Sequence, residues 1–489
     1  MASRAAPTSL LASLLLALQI FAPPLLACGR GTQERPWPVL LLTADTLRPD
    51  YLSLNGQPLP TTPYLDSLLE EGVYFEQAIT PVARTTPALA SLLTGAYPHR
   101  TGVRDLTDSL SPEVIPIAEV LRERGYQTLA VVTNQVLGRP RRLDRGFEVY
   151  DAASDARTAS ATTDAALRYI DALDPQRPAF VWVHYIDPHV PYHPPPEWAE
   201  RFDPGYRGRY QLNFGWQPRA GEPPSLHRAF PEDLPKGEAT HRNPLPERVN
   251  EHIRRLYAGD VRSMDDQLER LVTRLQELYH GRLLVVFTAD HGESLGEHDF
   301  YFDHGDYVSN AETRVPLAFV VPQQHARHAT GRRTGFVSLV DVVPTLLDLL
   351  DIPHSPALDA QLEGRSLAGS IAGKPLEELP VFAESGHSYY PDLVHGLVRN
   401  DVAGRFRAVF LGHDKLIWTP FAKASQAWQY YRVDDDPNET HDLAAANAPQ
   451  VAQLRHHLDT WLARAGHEKR ATSLDPQDEA ALRALGYLN

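Results

Sequence analysis

The sequence predicts an α/β fold with a doubly wound, mostly parallel sheet, and three observations support this prediction. Short apolar runs rich in β-branched residues recur along the chain, helical patterns separate them, and polar side chains directly follow several runs. Continuous apolar runs of this length are typical of strands that are buried on both faces. Because strands and helices alternate, we expect helices to cover both sides of the sheet.

Five apolar runs are predicted as strands of this sheet. They begin at Val39, Gln127, Ala179, Arg282 and Pro316. Between residues 253 and 278, apolar side chains recur at intervals of three and four, which predicts a long amphipathic helix. Polar or charged residues follow or end three of the runs: Asp45 at the first, His184 with Asp187 at the third, and Asp290 with His291 at the fourth. Since a ligand site in an open α/β sheet lies at the carboxyl ends of its strands, we expect these residues to converge there.

The length of 489 residues favours a large domain with a smaller one attached. We predict a main domain over residues 38–375 and a small antiparallel α+β subdomain over 376–489. The subdomain strands are expected in LVHGLVRN, FRAVFLG and KLIWT, followed by a helix in APQVAQLRHHLDTWLARAG. Within the main domain, residues 193–250 are rich in Pro and Gly with little periodicity, which is typical of a lid or a mobile loop.

The N-terminus has the pattern of an export signal. Residues 1–27 combine a basic residue, an apolar run and small residues, as a secretory signal peptide does. The run LLAC ending at Cys28 resembles a bacterial lipobox, in which this cysteine carries the lipid, and residues 28–37 would then be a tether. An uncleaved membrane anchor is the alternative, although Pro23 and Pro24 suit a spanning helix poorly. Both interpretations predict an exported protein of the periplasm or cell envelope, attached to a membrane.

The composition restricts the partners. The formal net charge is −15, and clustered Lys and Arg are missing from the sequence. Binding to a nucleic-acid backbone needs such clusters, so we expect no nucleic-acid partner. Cys28 is the single cysteine of the chain, which excludes a disulfide within it. The oligomeric state stays open.

Two threonines precede Pro87 in the segment ARTTPALASLLTG and allow two interpretations. In the first, Thr86 caps a helix, Pro87 is its first residue and Gly95 ends it. In the second, a threonine hydroxyl is a nucleophile, because the start of a helix attracts an anion such as a phosphate or sulfate group. Metal ligands elsewhere in the chain would favour the second interpretation.

Candidate ligands occur in the segment from Asp290 to Asp306, which is dense in Asp, Glu and His. A solvated acidic loop is one interpretation. However, Asp290 and His291 end an apolar run, where charge is costly unless it is paired or bound to a metal. With Asp45 they offer the oxygen and nitrogen ligands expected for Zn²⁺ or Mn²⁺. Such an ion would favour the ionised form of a neighbouring threonine.

Two histidines suit the remaining chemistry. His189 in YIDPHVPY and His304 in FDHGD are candidates to neutralise the oxygens of a reacting group or to protonate its leaving group. Taken alone, each histidine is equally compatible with a structural or surface role.

Several segments together resemble the sulfatase family of the alkaline phosphatase superfamily, from about Val39 to the C-terminus. They include LLTADTLRPDYLSLNG, TTPALASLLTGAYPHRTGV, HYIDPHVPY, TADHGESLGEHDFYFDHG and SLVDVVPTLLDLLDIP. The resemblance implies the doubly wound sheet and the C-terminal subdomain. It also implies site residues: metal ligands at Asp45, Thr85, Asp290 and His291, a nucleophile at Thr85, and contacts to the substrate oxyanion from His189 and His304.

The sequence departs from the family pattern at the nucleophile. Sulfatases carry Cys or Ser, then any residue, then Pro-Ser-Arg, and convert the first residue to formylglycine. Here the corresponding residues are Thr85, Thr86, Pro87, Ala88 and Leu89. Threonine is not a substrate for that conversion. In addition, Thr46 stands where many sulfatases have a second aspartate, which favours Zn²⁺ or Mn²⁺ over Ca²⁺ and one ion over two.

We therefore predict an exported, metal-dependent hydrolase that cleaves phosphate monoesters or diesters, or sulfate esters, through Thr85. The expected substrate is a small-molecule, glycan or lipid-headgroup ester. Three alternatives stay open: a formylglycine-independent sulfatase, a phosphoglycerol or phosphoethanolamine-type transferase, and a binding lipoprotein that has lost turnover.

Overall fold

The computed structural model describes residues 36–152, 157–206, 210–212, 229–231, 247–390, 397–398 and 402–465. The unit that begins at Pro36 is compact. The predicted signal peptide, Cys28, most of the tether and most of residues 193–250 lie outside the described residues. Within the described ranges, every helix is too short or too polar to cross a membrane.

The strands and helices follow one another along most of the chain. The strands are β1 Val39–Ala44, β2 Val73–Ile79, β3 Gln127–Val132, β4 Val149–Ala152, β5 Ala179–Tyr185, β6 Tyr210–Leu212, β7 Ala229–Pro231, β8 Leu284–Ala289, β9 Ser294–Leu295, β10 Tyr301–Asp303, β11 Arg314–Val320, β12 Gly331–Ser338, β13 Val381–Glu384, β14 Ser388–Tyr389, β15 Leu397–Val398, β16 Arg407–Leu411, β17 Asp414–Trp418 and β18 Trp428–Arg432. The helices are α1 Pro63–Glu70, α2 Thr85–Thr94, α3 Pro98–Thr101, α4 Ile117–Glu123, α5 Ala159–Ile170, α6 Pro196–Phe202, α7 Glu247–Leu278, α8 Asn310–Thr313, α9 Val342–Leu349, α10 Pro356–Gln361, α11 Ala368–Ile371 and α12 Ala448–Ala465.

The main sheet has eight strands in the order β12-β2-β11-β8-β1-β5-β3-β4. All of them run in one direction except β11, which is antiparallel to both neighbours. The central strands β1, β3, β5 and β8 are buried along their whole length. This is the pattern of a sheet covered on both faces. The predicted fold class is therefore confirmed.

The register of the central strands brings candidate residues to one edge. Ala44, the last residue of β1, lies beside Tyr185 of β5 and Ala289 of β8. The next residues continue this alignment: the Asp45 amide donates to the Tyr185 carbonyl at 2.9 Å, and the Asp290 amide donates to the Ala44 carbonyl at 3.1 Å. Asp45 and Asp290 thus leave neighbouring strands at the same level.

A second sheet has the antiparallel order β13-β16-β17-β18. Leu454, Leu458 and Trp461 of α12 pack on one face of it. The prediction for LVHGLVRN was wrong in its pairing, because its described part, Leu397–Val398, pairs with β14 instead of joining this sheet. The outer edge of β13 is not available to it, since Glu384 forms a bridge with Val82 of the main domain there.

Helix α2 corrects the predicted cap. The helix begins at Thr85 with Arg84 as its N-cap, so Thr86 is the second helical residue and does not cap. Its hydroxyl instead donates to the carbonyls of Leu106 at 3.0 Å and Val136 at 3.3 Å. The helix start is buried, so this hydroxyl bonds to the carbonyls of packed loops rather than to its own helix. Gly95 ends the helix with φ of 68°, as predicted.

The beginning of the compact unit lies inside the predicted tether. Trp37 is buried, and its carbonyl accepts a hydrogen bond from the Tyr126 hydroxyl at 3.1 Å. The guanidinium of Arg282 lies over its ring, 4.7 Å from the centroid. Trp37 is therefore part of the folded body.

Candidate active site

Two carboxylates form the centre of the site. Asp45 and Asp290 are fully buried at the ends of β1 and β8. One oxygen of Asp45, Oδ2, accepts a hydrogen bond from Asn134 Nδ2 at 2.6 Å. One oxygen of Asp290, Oδ1, accepts from the backbone amides of Thr46 at 3.1 Å and His291 at 2.7 Å. Each carboxylate thus has one oxygen engaged by the protein.

The backbone at this edge is held in an uncommon conformation. Thr46 has φ of 61°, in the left-handed region that a β-branched residue rarely adopts. The Tyr257 hydroxyl, from α7, donates to the Thr46 carbonyl at 2.7 Å and accepts from the Arg48 amide at 3.0 Å. Local strain of this kind persists where the surrounding structure imposes it, and it is frequent at functional sites. Here it turns the Thr46 amide towards Asp290.

His291 presents a ring nitrogen to both carboxylates. Its Nδ1 lies 2.9 Å from the Gly292 carbonyl, an acceptor, so the proton of the neutral ring is on Nδ1. Its Nε2 therefore carries a lone pair. This atom is 3.7 Å from Asp45 Oδ1 and 3.5 Å from Asp290 Oδ2. The arrangement places the lone pair of Nε2, a possible metal ligand, close to one oxygen of each carboxylate.

Thr85 completes this group of side chains. It is the first residue of α2, and its Oγ1 lies 3.4 Å from His291 Nε2. The first amides of a helix have no acceptor within the helix, so the positive end of the helix dipole lies beside this hydroxyl. Thr86, one position further along, faces the loops described above. Of the two threonines, Thr85 is the one beside the carboxylates.

The protonation of the pair follows from burial and proximity. Burial raises the pKa of Asp45, but the nearby imidazoles of His189 and His184 outweigh it and lower this pKa to about 2. Burial, with the adjacent Asp45 charge, raises the pKa of Asp290 well above its ordinary range. Burial lowers the pKa of His291 to about 4, so its ring is neutral. Without a cation, this pocket therefore does not hold both carboxylates ionised.

The donor atoms fit a divalent cation. Asp45 Oδ1 and Asp290 Oδ2 are buried and have no hydrogen-bond partner among the described residues. Such atoms are costly unless a ligand or an ion satisfies them. The same two oxygens lie near His291 Nε2, which in turn lies near the Thr85 hydroxyl. A cation bound by these four side chains would satisfy the two oxygens and allow both carboxylates to ionise.

His304 and His189 lie next to this group. The ring centroid of His304 is 4.3 Å from that of His291 and 5.2 Å from that of His189. Both histidines are buried, and His304 follows β10 whereas His189 lies in the turn after β5. The structure therefore brings together all six residues predicted for the site in the described part of the chain. Their chemical roles stay predictions, and Cys28 lies outside the described residues.

Sequence reasoning did not assign two residues that contact Asp45. Asn134 binds Asp45 Oδ2, and His184 Nε2 lies 3.5 Å from the same oxygen. Ligand atoms of Asp45, His184 and Asp290 all lie within 4.8 Å of one another, so His184 is also a candidate ligand. However, His184 faces the oxygen that Asn134 already occupies, whereas His291 faces the two free oxygens. We therefore predict His291 as the ligand and His184 as a residue that supports Asp45.

A signal for Asn134 was available in the sequence. It follows β3 closely, and the carboxyl end of β3 lies at the same edge of the sheet as that of β5. His184 was already expected at the carboxyl end of its run, but the sequence did not assign it a partner; it is the sixth residue of β5. Its Nδ1 is 2.9 Å from Thr43 Oγ1, and the Trp182 indole donates to that hydroxyl at 3.0 Å.

The comparisons with known proteins identify the family and the fold of the chain. A family model described as Sulfatase matches residues 38–352. Mouse iduronate 2-sulfatase is 24% identical, with 86% of this chain and 92% of the mouse protein covered. A protein solved in complex with its substrate D-glucosamine-2-N,6-O-disulfate has a TM-score of 0.69 at 18% identity, with 88% of this chain and 98% of that chain covered.

A second solved structure is the phosphonate monoester hydrolase of Agrobacterium radiobacter. It has a TM-score of 0.67 at 20% identity, with 89% of this chain and 97% of that chain covered. Likeness at this level of identity shows the shared fold. The family model, in contrast, covers most of the chain. The chain therefore belongs to the sulfatase family of the alkaline phosphatase superfamily and is a hydrolase of that family.

Proposed function

We propose that this protein is a metal-dependent hydrolase of phosphate esters in which Thr85 is the nucleophile. The observation that carries the proposal is the position of its hydroxyl, 3.4 Å from His291 Nε2 and beside two carboxylates with free buried oxygens. Asp45, Asp290, His291 and Thr85 would hold the ion. We propose Zn²⁺ or Mn²⁺ rather than Ca²⁺, because Ca²⁺ prefers a larger set of oxygen ligands.

The residues divide the chemistry among them. A divalent ion held by these residues would lower the pKa of the Thr85 hydroxyl and so favour its ionised form. Thr85 Oγ1 then forms a bond to phosphorus while the bond from phosphorus to the leaving oxygen breaks. His304 gives a proton to that oxygen, and His189 helps to balance the charge on the remaining oxygens. In the second step, the oxygen of water forms a bond to phosphorus while the bond to Thr85 Oγ1 breaks; the proton that water loses returns to His304, and Thr85 is again ionised.

The residues around the nucleophile favour phosphate over sulfate. Thr85 cannot be converted to formylglycine, and Leu89, at the position of the family arginine, is fully buried in α2. The second candidate function is hydrolysis of a sulfate ester by the same threonine, and the match to the Sulfatase family model favours it. The substrate would be a small molecule, a glycan or a lipid headgroup that carries the ester.

The export of the protein is also a proposal. The pattern of residues 1–27 and the LLAC segment ending at Cys28 support a lipid-anchored protein of the bacterial envelope. Replacing Cys28 with Ala would then move the protein from the membrane fraction to the soluble fraction of cells. Unchanged membrane association of Cys28→Ala would contradict lipid attachment at this residue.

The test compares three substrates and two neighbouring threonines. Metal-free protein is reloaded with Zn²⁺, Mn²⁺ or Ca²⁺ and assayed with p-nitrophenyl phosphate, bis-p-nitrophenyl phosphate and p-nitrophenyl sulfate. We expect the phosphate esters to be cleaved fastest with Zn²⁺ or Mn²⁺. Faster release from the sulfate ester would favour the second candidate, and no release from any ester would favour a binding protein.

The variants separate catalysis from stability. We expect Thr85→Ala to lose turnover by at least about a thousandfold, because nucleophile and metal ligand are removed together. Thr86→Ala is the matched control, and it should keep its kcat while the free energy of unfolding falls by about 1 kcal/mol, because the hydrogen bond that the hydroxyl shares between two carbonyls is lost. If instead Thr86→Ala were inactive and Thr85→Ala active, the assignment of the nucleophile to Thr85 would be wrong, and Thr86 would be the nucleophile.

A further inference from the structure

A short hairpin places a carboxylate against His304. Strands β9 and β10 pair antiparallel, with Leu295 opposite Tyr301 and Ser294 opposite Asp303. The residues just beyond these pairs are Glu293 and His304, so they face each other at the open end of the hairpin. Glu293 Oε1 lies 2.9 Å from His304 Nδ1, and both side chains are almost completely buried.

A bulge in the hairpin decides this pairing. The register shifts between Tyr301 and Asp303, and Phe302 is the extra residue, with φ of 54°. In a regular pairing, Phe302 would lie opposite Ser294 and Asp303 would lie opposite Glu293. The shift moves His304 into that position. Bulges next to active sites commonly re-aim a side chain in this way, and a buried aromatic residue with positive φ indicates that the surrounding structure imposes it.

The backbone around His304 is held by two other carboxyl groups. The His304 amide donates to Asp303 Oδ1 at 2.9 Å, and the Gly305 amide donates to Glu312 Oε2 at 2.7 Å. Backbone and ring are thus fixed independently. Loss of the Glu293 carboxylate would change the ring contact while both amide contacts stay in place.

The contact determines which ring nitrogen of His304 carries a proton. Because a carboxylate oxygen 2.9 Å from Nδ1 accepts a hydrogen bond, the contact places a proton on Nδ1, which donates to Glu293. The other nitrogen, Nε2, is therefore the atom available for proton transfer. A carboxylate behind a histidine also orients the ring and stabilises its protonated form.

We infer that Glu293 is a positioning residue: by accepting a hydrogen bond from Nδ1 it fixes the orientation of the His304 ring and leaves Nε2 as the atom that carries the proton for the leaving group. The inference rests on the proposed function, because it assigns Glu293 a role only through His304. Glu293 does not need to touch the substrate. The bulge at Phe302 is the feature of the fold that makes this pairing possible.

A double-mutant cycle tests the inference with the metal-loaded protein. The variants are Glu293→Gln, His304→Ala and the double variant, assayed with aryl phosphates whose leaving phenols differ in acidity. We expect Glu293→Gln to lower kcat roughly 10- to 100-fold, as is typical for the hydrogen-bond partners of functional histidines, with little change in KM. The loss should be greatest for the least acidic phenols, and the double variant should be no slower than His304→Ala.

Two further variants act as controls. Glu297→Gln removes a carboxylate of the same hairpin that binds Arg48 and should retain kcat. Glu293→Asp keeps the negative charge and should retain more activity than Glu293→Gln. If Glu293→Gln does not fold, Glu293→Asp takes its place in the double-mutant cycle. Folding of each variant is measured by denaturant unfolding.

The outcomes separate the inference from the proposed function. If the losses from Glu293→Gln and His304→Ala multiply in the double variant, or if the Glu293 loss is equal for all phenols, Glu293 does not act through His304. If His304→Ala itself retains full activity on every ester, the role of His304 in the proposed function is wrong. The result that Glu293 does not act through His304 would leave the proposed roles of Thr85 and His304 unchanged, whereas full activity of His304→Ala would not.

Discussion

Two buried groups of charged side chains in this protein have opposite compositions. At the end of β1, Asp45 and Asp290 lie together with neutral His291, and two carboxylate oxygens have no partner among the described residues. At the second sheet, the buried carboxylate of Glu384 lies among three arginines. Arg104 Nη1 is 3.0 Å from both of its oxygens, and the other two guanidinium groups are 3.6 and 3.8 Å away.

The pKa directions show the same contrast. Burial raises the pKa of Glu384, but Arg104, Arg405 and Arg407 outweigh it, so this pKa lies below its ordinary range. The pKa of Asp290 moves the other way, because burial and a neighbouring carboxylate act in the same direction. The negative charge of Glu384 is thus balanced by arginines of the protein itself. At the strand ends, in contrast, Asp45 Oδ1 and Asp290 Oδ2 have no hydrogen-bond partner among the described residues, and this leaves them available to an external cation.

Removing one carboxylate of the site should have the largest effect. We expect Asp290→Asn to lower kcat/KM by more than about a thousandfold, because a metal ligand is lost. The metal-free variant should be at least as stable as metal-free wild type, since a crowded buried carboxyl is replaced by a neutral amide. Addition of Zn²⁺ should raise the Tm of wild type but not of the variant, because an ion that binds the folded state stabilises it.

The matched control for this prediction is Asp164→Asn. Asp164 is an exposed carboxylate on α5 that pairs with Arg270. Its variant should keep both activity and the response to Zn²⁺. An equal rise in Tm for Asp290→Asn and wild type would show that Asp290 is not a ligand and would remove the contrast between the two groups.

Removing the carboxylate of Glu384 should have a different result. We expect Glu384→Gln to lower the free energy of unfolding by about 3–5 kcal/mol, because the positive charges of buried arginines lose their counter-charge. The kcat per folded molecule should change little, since the loss is structural. Denaturant unfolding together with active-site titration measures both quantities. A folded, stable variant with low kcat would instead connect this group to catalysis.

Glu312 is a third buried carboxyl group, and it allows a test in which the expected effect per unit of pH is smaller. Its charge is removed by a bound proton instead of by arginines or a cation. Burial raises the pKa of Glu312 to about 8 from an ordinary value of 4.5. Between these values the folded state binds the proton and the unfolded state does not. The free energy of unfolding should therefore fall as the pH rises through this window, by on the order of 5 kcal/mol at most from this group.

Replacement by Gln should weaken that dependence. Glu312→Gln keeps an oxygen for the Gly305 amide but has no proton to lose. We expect the variant to gain stability relative to wild type at pH 8 and to match it more closely at pH 5, as measured by urea unfolding. The same slope in both proteins would mean that another group dominates the pH dependence.

The main sheet was largely predictable because its central strands are continuous apolar runs. Strands β2, β4 and β12 escaped prediction because their sequences mix polar and apolar residues. In β2, Glu76 and Gln77 are half-buried, and β12 begins with exposed residues at the edge of the sheet. A strand with one solvated side loses the apolar continuity on which the prediction depends. The position of each such strand is decided by its neighbours.

The site was predictable where chemistry and strand ends coincide. Asp45, Asp290 and His291 stand out because charged groups at the end of an apolar run need a partner. Glu293 was not assigned, because its contact with His304 depends on a one-residue bulge. His184 was expected among the residues at the strand ends but was not assigned as a partner of Asp45, because a strand-end position does not show which side chains face each other.

The sequence by itself determined the fold class, the family and the set of chemical groups that can meet at the carboxyl ends of the strands. The resemblance to the family assigned the nucleophile to Thr85, and the residues alone left both threonines open; the tertiary structure shows that Thr85 lies beside His291 and the carboxylates. Successive residues of a helix point about 100° apart, so a change of one residue in the helix start turns a different hydroxyl towards His291. That start depends on the loops that bind the Thr86 hydroxyl, and these contacts join residues distant in sequence.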